Sequence, residues 1–136
     1  FDKYLKKGRA AYQDRFRLEP AEAIDLIHRI GGLAVIAHPV STGLKGPKLT
    51  ALLGRLKGEG LDGVEVYCPS QDEATRLFLA EAAARKDLLV SGGSDFHGYF
   101  KPEIRIGWGR GDLRIRYELL DRLRAYSRPG SRTRGR

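Results

Sequence analysis

One cysteine, one tryptophan, three histidines and no methionine stand among the 136 residues. Cys68 therefore has no internal disulfide partner, and neither a CxxC pair nor a Cys/His ladder of zinc-finger spacing occurs. That usage makes the cytoplasm the expected compartment. No run approaches the roughly 18 to 20 apolar residues that a membrane helix needs. The longest apolar stretch, Leu33 to Ala37, is strand-sized, and a membrane-spanning reading is excluded. The opening residues FDKYLKKGRA start at Phe1 rather than Met and match neither a signal nor a transit peptide. They lead to the expectation that the chain is a segment of something longer.

What is present is ordinary for a globular protein: 41% hydrophobic and 31% charged residues, on a length that suits one domain. The net charge is +8, yet Arg128, Arg132, Arg134 and Arg136 lie in the last nine residues, and removing them leaves +4. This tail of Arg, Gly, Ser and Pro has no apolar periodicity to offset its ordering entropy, so 127–136 are expected to be disordered. It serves either as a solvating tail or as a sequence-independent phosphate contact, which would make the protein a noncatalytic α/β module binding nucleic acid.

Residues 1–18 mix basic and aromatic side chains without a clean period and read as a connector. From 19 the pattern is regular. Pro20 suits a first helical turn, and Ile24, Ile27 and Ile30 recur at helical spacing, which predicts a helix over 20–30. Leu33 to Ala37 predicts a buried parallel strand. Leu49, Leu52, Leu53 and Leu56 form an i, i+3, i+4, i+7 stripe and place a helix over 48–58. A strand over 63–67, a helix over 71–85, a strand over 88–91 and a helix over 116–125 follow. Alternation of this kind implies parallel strands with right-handed crossovers. Three strands do not close a barrel, so the pattern predicts either the C-terminal half of a (β/α) barrel or a small doubly wound sheet.

His38, Asp95 and His97 stand out because each follows an apolar strand, where parallel α/β folds build their sites. On an extended backbone Asp95 and His97, two apart, project from one face. An imidazole beside a carboxylate is a good start to a divalent-metal shell. Gly92, Gly93 and Gly98 leave room for an ion and a substrate. Read differently, Asp95 caps a helix and His97 is solvated, while His38 is a hydrogen-bonded residue at the edge of the core.

LAVIAHP (33–39) and SGGSDFHG (91–98), with GVEVY between them, resemble the two C-terminal metal motifs of the polymerase and histidinol phosphatase (PHP) family. The resemblance implies the C-terminal half of a distorted (β/α)7 barrel with parallel strands, over 19–126. It implies divalent ions, manganese foremost, with iron, zinc or magnesium as alternatives. His38, Asp95 and His97 are then metal ligands, with His38 or His97 as an acid toward the leaving oxygen. The connector is similar to that of the branch of nucleoside 3′,5′-bisphosphate phosphatases and 5′ to 3′ exoribonucleases. A phosphorylated small molecule, a nucleotide or an RNA end is the implied substrate, and Arg9, Arg15, Arg105 and Arg110 are candidates to bind its phosphate.

The family's HxH motif is absent, since the third histidine, His28, lies within the first predicted helix. At most a third of the family's ligands are present. The isolated chain is expected to be an incomplete enzyme that needs an N-terminal half or self-associates. His28 itself reads as a surface or interface histidine. Glu65, in the middle of an apolar strand, is either ion-paired inside the barrel or near the site. Cys68 reads as a small buried residue and Trp108 as a packing residue.

Overall fold

A computed structural model describes residues 3–4, 6–12, 16–100, 102–109 and 113–126. The tail, Arg15 and Arg110 lie outside the described residues.

The first helix, α1 (Pro20–Arg29), opens with proline in its first turn, and the Glu19 N–H donates to the Glu22 carboxylate at 3.0 Å. It stops before Gly31, whose positive φ of 82° suits a residue without Cβ. Strand β1 is only Val35–Ile36, shorter than the apolar run predicts. The chain leaves the ladder at Ala37, turns at His38 and enters a 3₁₀ turn over Pro39–Thr42. Helix α2 (Gly46–Gly58) starts two residues earlier than predicted, because Pro47 fits its first turn. Leu49, Leu53 and Leu56 are its buried stripe.

Strand β2 (Gly63–Tyr67) matches its prediction. Helix α3 (Glu73–Arg85) starts later than predicted, because the cap is Asp72, whose carboxylate accepts from the Thr75 N–H at 2.8 Å. Strand β3 (Leu89–Gly92) follows, then a 3₁₀ turn at Gly98–Phe100 and helix α4 (Glu118–Ala125).

The three strands are parallel in the order β1-β2-β3. That order contains no reversal, and a doubly wound sheet needs one, so the winding is of the barrel kind. All three carboxyl ends consequently lie on one side. The core gathers Ile24 from α1, the α2 leucines, Val64 and Val66 of β2, and Leu79, Ala82 and Ala83 of α3.

His28 departs from its expected place at the surface. Its Nε2 lies 2.9 Å from Asp62 Oδ2, and the same oxygen accepts from the buried Ala34 N–H at 2.7 Å. Asp62 is only 4% exposed, so this pair ties α1 to the starts of β1 and β2 from within. Sequence spacing gives no sign of a contact between residues 34 positions apart.

Among the described residues no helix is long and apolar enough to cross a membrane.

Candidate active site at the strand ends

His38, Glu65 and Asp95, one from each strand or the loop just after it, line one cleft of ≈ 240 Å³ together with Val40, Ser41, Cys68, Pro69 and Ser70. The site is built from the backbone outward. The His38 N–H donates to Glu65 Oε2 at 2.6 Å, which joins the turn after β1 to the middle of β2. Glu65 thus resolves as a cleft residue, and its own carbonyl accepts from the buried Gln71 side chain at 3.3 Å. Gly93 comes so close that a Cβ on it would meet Glu65 Oε1 at 3.1 Å. A larger residue there would displace the carboxylate.

Among the described residues, two of the three non-glycine residues with positive φ are candidate site residues: His38 at 29° and Asp95 at 55°. Such backbone costs on the order of 1–3 kcal/mol unless its surroundings impose it, and it clusters at functional sites. Asp95 therefore does not sit on extended backbone, contrary to the expectation that one face carries both Asp95 and His97. The turn instead folds them onto each other. His97 Nδ1 lies 2.8 Å from the Asp95 carbonyl oxygen and 3.4 Å from Asp95 Oδ1. His97 is exposed and does not line the cleft, whereas His38 and Asp95 do.

The imidazoles of His38 and His97 are both held through Nδ1, His38 by the Ser41 hydroxyl at 3.0 Å and His97 by its own loop. Nε2 is left as the outward nitrogen, which is how ligand and proton-transfer histidines are oriented by their neighbours. Burial pushes the Cys68 thiol above its ordinary pKa of 9.0, against the opposing effect of its hydrogen bond to Ser70. Cys68 at neutral pH is a protonated wall residue, as its burial in the sequence reading implies.

Two carboxylates and an imidazole make this cleft attractive to a cation. The donor types suit a divalent ion, but sharing a cleft does not bring them onto one point: among the described residues no three His, Cys, Asp or Glu side chains are gathered closely enough to hold an ion. Of the arginines proposed for phosphate, Arg9 and Arg105 are exposed and do not line this cleft.

A second cleft, of ≈ 300 Å³, was not foreseen. Tyr67, Arg114, Arg116, Glu118, Leu119 and Arg122 line it. Trp108, read as a packing residue, is 54% exposed, and the Arg114 guanidinium lies 4.5 Å from its ring centroid.

No family model matches the chain. A 5′-3′ exoribonuclease of Haemophilus influenzae is 37% identical over 97 residues, covering 71% of this chain and 35% of the relative. A 3′,5′-nucleoside bisphosphate phosphatase of Chromobacterium violaceum is 33% identical over 97 residues, 71% of this chain and 34% of its own length. A solved chain described as a metal-dependent phosphoesterase of Bifidobacterium adolescentis superposes with a TM-score of 0.65 at 28% identity, over 87% of this chain and 40% of that one. The chain corresponds to the C-terminal part of a PHP-type phosphoesterase. It spans about a third of the length of these curated relatives. In this PHP-type part the strand-end cleft lies where parallel α/β folds build their sites.

Proposed function

We propose that the chain supplies the C-terminal portion of the active site of a metal-dependent phosphoric ester hydrolase acting on a nucleotide or a short RNA. The observation that carries this reading is the common cleft of His38, Glu65 and Asp95 at three adjacent strand ends. His38, Asp95 and His97 act as metal ligands in this reading, with Glu65 holding the His38 turn in place. Manganese is the ion first expected, and the remaining ligands come from outside the described residues, in a complementary N-terminal half or a second copy. The setting is a TIM-like barrel in the cytoplasm, with 1–18 as connector, 19–126 as barrel portion and 127–136 as a basic tail.

The chain's own residues have defined tasks. His38 lines the cleft with Nδ1 held by Ser41, and whichever of His38 and His97 does not ligate the ion would protonate the leaving ester oxygen. Asp95 and Glu65 concentrate positive charge beside the strand ends. A divalent ion, if bound there, would supply Lewis acidity toward water and the phosphoryl oxygens.

The test is manganese-dependent phosphate release from a nucleoside 3′,5′-bisphosphate, by the chain alone and by the chain co-expressed with the remaining length of a curated relative. The reading expects little turnover alone and restored turnover in the pair, lost on His38→Ala or Asp95→Ala. Turnover in the pair that survives both substitutions contradicts it.

A further inference from the structure

The geometry points to the Arg114, Arg116 and Arg122 cleft as a track for the backbone phosphates of a single-stranded oligonucleotide whose reacting end lies at the strand-end cleft. This deepens the reading proposed above and rests on it. Three guanidinium groups line the cleft against one carboxylate, Glu118. Glu118 precedes Arg122 by four residues on α4, the favourable order for a helical ion pair, yet the two make none. Arg116 and Arg122 form no ion pair with any described residue, and Arg114 has Trp108 as its neighbour rather than an acid. Unneutralised guanidinium groups converging on one concavity match phosphate oxygens in charge and in forked geometry.

The position of the cleft supplies the second argument. Tyr67, in its wall, ends the strand that carries Glu65. The β2–β3 register shifts between Glu65 and Tyr67. Gly92 and Gly93 then press against the two clefts in turn. A Cβ on Gly92 would meet Tyr67 Cβ at 2.8 Å and Ile115 Cδ1 at 3.4 Å, while one on Gly93 would meet Glu65 Oε1. A cation-attracting cleft and an anion-attracting cleft therefore flank the end of one strand, separated by two glycines. An ester phosphate beside the first places the next phosphates of a chain over the second, where a single phosphate has no need to reach.

The experiment is fluorescence anisotropy of a 3′-labelled single-stranded RNA pentanucleotide binding the full chain, across a salt series, with inorganic phosphate as the single-anion probe. Arg116→Gln with Arg122→Gln is expected to weaken pentanucleotide binding by about tenfold and to reduce the salt slope by about 1.4, for two lost phosphate contacts. Arg124→Gln, on the same helix but outside the cleft, leaves both unchanged. Glu118→Gln removes the opposing charge and tightens binding severalfold, which keeps the test decisive if the double variant fails to fold. Equal affinity and slope in the double variant, or an equal loss with Arg124→Gln, overturns the proposal. So does a loss as large for inorganic phosphate as for the pentanucleotide. His38→Ala with Asp95→Ala retains the arginine-dependent binding, so failure of the hydrolase reading is distinguishable from failure of this one.

Discussion

The backbone of His38 is anchored by the side chain of Glu65, N–H to Oε2 at 2.6 Å, across 27 residues of sequence. This bond explains how a histidine with φ of 29° and ψ of 63° is held at the mouth of a cleft. A hydrogen bond to a charged acceptor contributes about 1.5–3 kcal/mol, less at a half-exposed site. Glu65→Ala is therefore expected to cost about 1–2 kcal/mol by urea denaturation and to speed hydrogen exchange at the His38 amide. Unchanged exchange there would show that the turn is held by other contacts.

The Asp62 carboxylate governs stability rather than chemistry. Asp62→Ala leaves the buried Ala34 N–H and the His28 ring without their acceptor, and the expected loss is about 2–3 kcal/mol. His28→Ala removes only one arm and should cost about 1 kcal/mol. Denaturant midpoints of the two variants test the ranking, and a larger loss for His28→Ala would reverse the assignment.

Much of the fold is legible in the sequence. The α1 and β2 boundaries followed from helical spacing and from an apolar run between glycines. Strand β1 came out shorter because hydrophobicity reports burial, whereas the ladder ends where His38 turns. The candidate residues His38 and Asp95 were legible from their places after apolar strands. Their positive φ was not, nor was the backfolding of His97 onto Asp95, because a loop's dihedrals depend on tertiary partners such as Glu65. The arginine cleft escaped notice because Tyr67 and Arg122 come from distant segments, and charge counts along the sequence do not show convergence.

The Asp72 cap sets a pH dependence. Hydrogen bonding from the Thr75 side chain, and then from its N–H, holds the carboxyl below its ordinary pKa of 3.8, so the native state binds a proton less readily than the unfolded chain. The stabilisation is complete above that ordinary value and is lost as the pH falls through the lower native one. Thermal melts of Asp72→Ala and the parent should differ at neutral pH and converge as the medium becomes strongly acidic. A difference that stays constant through the acid range would contradict this role.

Strand β1 lies at one end of the sheet order and pairs on its other side with no strand among the described residues. The isolated chain is expected to self-associate, and to become monodisperse when co-expressed with the complementary length of a relative. Light scattering on both preparations tests this. A stable monomer that unfolds cooperatively and binds no apolar dye would favour a self-contained three-stranded module.

If the strand-end cleft takes a divalent ion, as proposed, paramagnetic broadening reads that location directly. Manganese titrated into the ¹⁵N-labelled chain should broaden the amides of His38, Glu65, Gly93, Asp95 and His97 first, at weak affinity, because the donor set is partial. His38→Ala with Asp95→Ala should abolish that pattern. Broadening that begins at carboxylates elsewhere on the surface, or that persists unchanged in the double variant, would contradict the account.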